Sequence, residues 1–383
     1  MKKIVFLGIS GFPRPSAEVE KQQLILNSLR FLDKDVRIIS KKNFYVDNVV
    51  PYRGTFNGIR YFYTTFYSYK KKNKIENRLR IYFGQIVEKV LLIKDIQDIA
   101  IISSRSFLEI LSYSVLFKFF KTKIFLTHVE DLSYKESNFL FDKWNKYLFD
   151  KFAFRLVDGG LPISEYLYSK IHLSAPNCPL LKLPVLVDYN AFINIKTNES
   201  NQLIREKYIL FCGSIAYVDV INFIISAYEL SDIEVKLVLV VNGHKEQVDN
   251  FKLGIKNQNI EVFSSISFED LVYLYKNADA LLIPLRETIQ DKARFPHKIG
   301  EYCAAGRPIV TNNWGEIPNY FTHLKSAYIC KNYNLNDYAE ALKILNNNED
   351  LANEIGKNGQ ILARDIFDYH NFSEPLTKFV TSF

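Results

Sequence analysis

Short apolar runs separated by amphipathic stretches set the rhythm of this chain. Ile4-Val-Phe-Leu7 leads into a loop with Gly8, Gly11, Pro13 and Pro15. From Ser16 to Leu29 apolar residues recur at helical spacing, behind a serine able to cap the first turn. Val36-Arg-Ile-Ile39 is the next run, so the opening predicts strand, helix, strand. Runs at Ile99 to Ile102, Lys123 to Thr127 and Gly160 to Ile163 predict further strands, with helices in the intervals. The stretch Asn190 to Glu206 is polar and loses periodicity. The rhythm then restarts with Tyr208 to Gly213, a helix from about Asp219 to Tyr228, and the near-continuous apolar run Val235 to Val241. Ile260 to Phe263, a helix through Leu271, Leu274 and Tyr275, and Ala280 to Pro284 follow. Pro308 to Thr311 and helices at Leu335 to Leu345 and Asp350 to Arg364 complete the pattern. Runs apolar throughout suit parallel strands covered on both faces. The pattern predicts an α/β protein with two Rossmann-like doubly wound domains, at 1–190 and 207–366, joined by a hinge at 191–206.

Composition narrows the function. At 383 residues the chain has room for two cores. A net charge of +7 implies an anionic partner such as a nucleotide, lipid phosphate or membrane surface. No helix-turn-helix, zinc or RNA-recognition signature points to nucleic acid. Cys178, Cys212, Cys303 and Cys330 form no close pair, so neither a metal site nor a disulfide framework is expected, and a reducing compartment is. Met1 to Ser10 imitates a leader, but its apolar part is short and Phe12-Pro-Arg-Pro15 is not a small-residue cleavage site. No apolar run approaches the ~20 residues of a membrane-spanning helix. The basic excess concentrates between Arg53 and Lys123. Tyr61 to Lys74 interleaves rings with cations, Arg78 and Arg80 follow, and Val115 to Lys123 repeats the theme. Two readings stay open: a surface for peripheral contact with an anionic membrane, or a basic helix whose rings face the core.

The densest candidate chemistry lies in Arg294-Phe-Pro-His-Lys-Ile-Gly-Glu-Tyr-Cys-Ala-Ala-Gly-Arg-Pro-Ile-Val310. It predicts a charged loop, a short helix from Lys298 to Ala305 stopped by Gly306, and a strand after Pro308. A helix start offers free N–H groups and partial positive charge. With Lys298 on its first turn and Arg294 in the loop, it suits a diphosphate. Glu301, one turn on, can accept hydrogen bonds from the vicinal hydroxyls of a ribose. Gly213 and Ser214, between strand and helix, can present backbone N–H groups to phosphate. No Asp-x-Asp triplet occurs in the second half of the chain, so no metal is expected there, and Lys292, Arg294 and Lys298 would supply the positive charge. Thr127-His-Val-Glu-Asp131 closes a strand, and ligands gather at carboxyl ends of strands in such sheets. His128, Glu130 and Asp131 are therefore acceptor-side candidates, with His128 or Glu130 as the base. The loop around Gly11 also ends a strand. It either closes on the diphosphate or is a simple turn. The glycines make no GxGxxG and no acid follows the second strand, which argues against a nicotinamide site.

The segment 294–310 resembles the donor-site segment of GT-B glycosyltransferases, in particular family 4 enzymes that build bacterial surface polysaccharides. Their pattern is an Arg-aromatic-Pro-x-Lys run, a Glu-Tyr pair three residues on, then Gly, Lys or Arg, and Pro before an apolar strand. Cys303 stands where Leu or Met is usual. Pro162 to Leu167, Pro184 to Asp188 and Phe211-Cys-Gly-Ser214 match further features in order. The resemblance implies two domains facing across a cleft, the donor on the second and the acceptor on the first. A terminal helix crosses back to the first domain, here from 367–383. It also implies a nucleoside diphosphate sugar donor, a saccharide or polyprenyl-linked acceptor, no cofactor, and retention at the anomeric carbon. The expected location is cytoplasmic, peripheral on the inner face of the plasma membrane. The sequence departs from the family twice. Ser214 and Tyr217-Val-Asp219 replace an Arg and a Lys-Gly pair, and Ala293 stands eight before Glu301 where a Glu is usual, so that the acid expected to approach the donor sugar is Glu287 or Asp291. A non-catalytic GT-B subunit binding a partner glycosyltransferase or glycan is a second reading. A nucleotide-sugar epimerase is a third, and it needs more acid and base groups around the sugar than the sequence offers.

Overall fold

The computed structural model describes residues 2–13, 17–30, 35–41, 50–69, 73–131, 139–196 and 203–382. The chain divides into two compact units, Met1–Leu186 together with Tyr369–Phe383, and Val187–Asp368. Each is an α/β unit around its own sheet.

The first unit holds β1 (Lys3–Leu7), β2 (Asp35–Ser40), β3 (Arg53–Phe56), β4 (Ile59–Tyr63), β5 (Ile99–Ile102), β6 (Lys123–His128) and β7 (Gly159–Pro162). They lie in the order β3-β4-β2-β1-β5-β6-β7, all parallel except the edge strand β3. Alternate side chains serve opposite faces. Ile4, Phe6, Ile38 and Ile101 pack with Ile25 and Leu29 of the helix Ala17–Arg30 and with Leu376 and Val380 of the terminal helix Ser373–Thr381. Val5, Leu7, Ile39 and Ile102 pack under Tyr113 and Phe117 of the helix Phe107–Phe119 and Phe149 of the helix Leu140–Phe152.

Strand order reverses between β1 and β5, the place where such sheets open a ligand crevice. There the chain is tight. Gly8 has φ +89°, and a Cβ on it would lie 2.0 Å from the Ser103 carbonyl oxygen. Gly8→Ala is expected to cost on the order of 3 kcal/mol of stability, from strain and collision together. A denaturant titration checks this, and an unshifted midpoint would contradict it.

The hairpin β3–β4 was not anticipated from the periodicity. Its turn is Asn57-Gly58, with φ 48° and 73°, the dipeptide that tight hairpins favour. The hairpin turns Ile59, Tyr61 and Tyr63 into the core, and the Tyr63 hydroxyl donates to the Phe12 carbonyl at 2.7 Å. Tyr61 and Tyr63 therefore face the core, whereas Phe66 and Tyr67 of the same stretch are exposed, and Lys123 is paired with Asp158 at 3.1 Å. Lys70 to Lys72 lie outside the described residues. Among the described residues no helix is long and apolar enough to cross a membrane.

The second unit holds β8 (Tyr208–Ser214), β9 (Lys236–Asn242), β10 (Ile260–Phe263), β11 (Ala280–Leu282), β12 (Ile309–Asn312) and β13 (Tyr328–Cys330). All are parallel, in the order β10-β9-β8-β11-β12-β13, so the reversal falls between β8 and β11. A helix, Tyr189–Asn194, reaches into the start of the stretch expected as a hinge at 191–206, of which residues 197–202 lie outside the described residues. Asp188 caps it by accepting from the Ala191 N–H at 2.9 Å, Phe192 is buried, and Lys276 donates to the Ile193 carbonyl at 3.0 Å. Six residues are too few to display a helical period in sequence.

Candidate active site

In the second unit the candidate residues gather around the β8/β11 reversal. β8 ends at Cys212-Gly213-Ser214. A Cβ on Gly213 would lie 2.5 Å from the Phe211 ring, so the position stays bare. Ser214 accepts from the Ala216 N–H at 3.3 Å and turns the chain through Ile215–Tyr217 into the helix Val218–Ser231. Beyond β11, the side chain of Asn312 grips Leu285 twice, accepting from its N–H and donating to its carbonyl, both at 2.8 Å. Thr311 donates to the Ile283 carbonyl at 2.9 Å. These bonds hold the segment that carries Arg286.

Arg286 is a further candidate for the site, one that sequence reading missed. Its guanidinium bonds Asp291 at 3.0 Å, Asp219 at 2.9 Å and Gln290 at 2.9 Å. Arg294 bonds the other oxygen of Asp291 at 2.8 Å. Both guanidinium groups stand against the Tyr217 ring, 5.4 and 4.6 Å from its centre. The hydrogen bond to Asp291 leads in holding Arg286 firmly protonated. Asp291 is fully buried and also accepts from the Arg286 N–H at 2.8 Å. Its carboxylate is committed to the two arginines, which corrects the expectation that it approaches a sugar. Glu287 is exposed and accepts from the Tyr333 N–H at 3.3 Å. A local signal for Arg286 did exist: an arginine just after a strand at the reversal point, five residues before an acid.

The helix Lys298–Ala305 has the bounds expected, closed by Gly306 at φ 71°. Tyr302 is fully buried against Tyr275, and its hydroxyl accepts from the Cys212 N–H at 2.9 Å. That bond ties the helix to the end of β8, beside Gly213. Burial pushes the Tyr302 hydroxyl well above its ordinary range, so it stays a neutral anchor. Lys298 donates to Glu301 at 2.8 Å, and the Glu301 side chain is 3% exposed against 25% for Lys298. The i, i+3 pair exists, but it lies on a buried face and not on a solvated one. Lys292 is exposed, with its ammonium 5.6 Å from the centre of the Trp314 ring.

The first-unit candidates are differently placed. His128 ends β6, as expected, but its ring is buried against Phe149 and Phe154 at 5.4 and 5.5 Å. Burial, helped by the Lys170 charge, lowers its pKa from 6.5 to about 3. The reading of His128 as base is corrected to an uncharged packed ring. Asp131 is buried and holds Lys170 at 2.9 Å and Tyr166 at 3.2 Å, so it anchors the helix Glu165–Ser174. Glu130 pairs with Arg105 at 2.8 Å and remains partly exposed at the carboxyl edge of the sheet. Gly11 has φ +98° in the loop after β1, and residues 14–16 of that loop lie outside the described residues.

His128 gives a pH prediction. The unfolded chain protonates near pH 6.5, the fold only near 3. As pH falls below ~6.5 the unfolded state binds more protons, so stability is lost downward through this window by up to ~1.4 kcal/mol per unit. His128→Gln removes this dependence. Urea midpoints between pH 7 and pH 4 should show the wild type losing ground relative to the variant. A constant gap would contradict the assignment.

Residues 194–361 match the family described as glycosyl transferases group 1. No curated protein matches the chain. Among solved structures, sucrose-phosphate synthase from Thermosynechococcus elongatus is similar over 99% of this chain and 98% of its own, at 14% identity and a TM-score of 0.77. Anabaena HepE, solved in complex with UDP and glucose, is similar over 100% of both chains at 15% identity and a TM-score of 0.73. WaaG, a glycosyltransferase involved in lipopolysaccharide biosynthesis, is similar over 99% of this chain and 100% of its own, at 14% identity and 0.65. The fold is that of the GT-B glycosyltransferases, two Rossmann-like α/β domains, and the matched family segment lies within the second unit.

Proposed function

We propose that this protein is a glycosyltransferase of family 4 type. It moves a sugar from a nucleoside diphosphate sugar to a saccharide or lipid-linked saccharide in surface polysaccharide synthesis, with retention and without a metal. One observation carries the reading. Glu301 is buried and paired with the part-exposed Lys298 on a helix that Tyr302 ties to β8 at the strand reversal, where Arg286 and Arg294 are also fixed. A leaving diphosphate needs positive charge held in place before the reaction, and these three cations supply it. Arg286 comes from the β11 side and stands in for the cations that the family places after Gly213. Glu301, fixed by Lys298, takes the ribose hydroxyls, and the N–H groups after Gly213 face phosphate. Glu287 is the remaining acid for the donor sugar. Retention needs no strong base on the acceptor, in keeping with an enclosed, neutral His128. Glu130 is the polar group left for the acceptor side. The similarity to HepE, which is solved with UDP and glucose, and to WaaG, which is involved in lipopolysaccharide biosynthesis, supports these donor and acceptor classes.

The test is a donor panel of UDP-, GDP- and ADP-sugars with mass-spectrometric product detection, with and without a chelator. One base should be preferred and chelation should leave the rate unchanged. Absence of transfer and hydrolysis with every donor would favour the binding-subunit reading.

A further inference from the structure

We infer that the outer face of three neighbouring helices in the first unit seats the protein on an anionic lipid surface. The inference is independent of the sugar-transfer reading. The helix Lys74–Lys94 is amphipathic in the opposite sense to an ordinary surface helix. Its inward positions are Asn77, Gly84, Glu88 and Leu92. Outward, Ile75, Leu79, Tyr82, Ile86, Val90 and Ile93 form an apolar stripe at helical spacing, and Ile75 is 70% exposed. The helix Phe107–Phe119 repeats this with Leu108, Leu111, Val115 and Phe119, the last 82% exposed. On the helix Leu140–Phe152, Leu140, Trp144 and Tyr147 point outward, with Leu140 84% exposed.

The three helices pack on the same sheet face. The Tyr113 hydroxyl donates to Glu88, joining the first two. Asn145 joins the second and third, accepting from the Phe107 N–H at 2.8 Å and donating to the Arg105 carbonyl at 3.0 Å. The stripes therefore share one face, and an apolar face of this extent marks an interaction site.

Charge selects the occupant. The three helices carry nine Lys and Arg against five Asp and Glu. Of those acids, Glu88 is fully buried, Glu109 is held by Lys41 and Asp150 by Lys170, so the charge facing solvent is cationic. Lys143, Lys146 and Lys151 line a concavity of about 480 Å³ with Tyr147, Ser174 and Asp150, whose carboxylate Lys170 holds at 3.0 Å, leaving three lysines and room for a phosphate headgroup. Rings and aliphatics at the boundary with cations beside them are what an anionic bilayer surface takes. A second copy would bring the same positive excess against itself.

Sedimentation with vesicles tests the inference, using phosphatidylcholine alone and with phosphatidylglycerol, at low and high salt. Wild type should bind the anionic vesicles and largely ignore the neutral ones. Tyr82→Ser with Ile86→Ser, and Phe119→Ser with Trp144→Ser, alter only exposed side chains. Each pair should lower partitioning about tenfold, with circular dichroism unchanged. Lys143→Glu with Lys146→Glu should abolish the preference for anionic lipid. Absence of binding to anionic vesicles, or binding unaffected by all three variants, overturns the inference. So does a dimer in light scattering that the serine variants dissociate, because it would give the face to a second copy.

Discussion

Glu301→Gln is expected to lower kcat/KM for sugar transfer by roughly a hundredfold to a thousandfold while leaving the melting temperature within a few degrees of wild type. The substitution keeps shape and removes charge. A carboxylate accepting from two ribose hydroxyls makes charge-assisted bonds, each worth about 1.5–3 kcal/mol. At about 1.4 kcal/mol per tenfold in rate, losing most of two such bonds gives that range. The fold tolerates the change because the partner, Lys298, keeps a quarter of its side chain in solvent. Steady-state kinetics with the preferred donor, alongside a thermal melt, check both halves. Near-wild-type kcat/KM in a well-folded variant would remove Glu301 from the donor site.

Asp291→Ala is expected to act through a different route, lowering stability and nucleotide affinity together. Asp291 is fully buried and receives Arg286 through backbone and side chain, and Arg294 through its second oxygen. Removing one partner of a buried charge cluster costs up to 3–5 kcal/mol; the arginines are about one-fifth exposed, so roughly 3 kcal/mol is expected. Both guanidinium groups then lose the geometry that aims them, and affinity for a nucleoside diphosphate should fall more than tenfold. Asp291→Asn, which keeps the backbone bond, should recover part of the stability and little of the affinity. A variant that melts and binds like wild type would show that the cluster does not orient the site.

The strand framework was readable in the chain because parallel strands covered on both faces appear as unbroken apolar runs, as in Val235 to Val241. The hairpin β3–β4 was signalled by Asn57-Gly58 and by the alternation from Ile59 to Tyr63, but its rings and cations suggest a membrane-facing surface or a basic helix instead. Three-residue β13 carries too little pattern to see. In the site, Lys298 and Glu301 were legible because their relation is local, one turn of one helix. Tyr302 reaching Cys212 and Asn312 gripping Leu285 are long-range contacts that no local spacing announces. Arg286 depends on such contacts for its position. The stretch 74–94 shows periodicity in sequence, but periodicity does not say which stripe is inward. The expectation that apolar residues point in fails there, since Gly84 and Glu88 sit inside beneath Thr64, Thr65 and Tyr113. His128 was correctly placed at a strand end, but its enclosure depends on Phe149 and Phe154 folding over it.

The central claim is that the cations and the acid around Lys298 hold a nucleoside diphosphate. Isothermal titration of UDP, GDP and ADP into wild type and Lys298→Ala tests it most directly. The account predicts saturable binding of at least one nucleotide to the wild type, weakened at least about tenfold by removing the ammonium. Failure of all three to bind wild type, or equal affinity for both proteins, would contradict it.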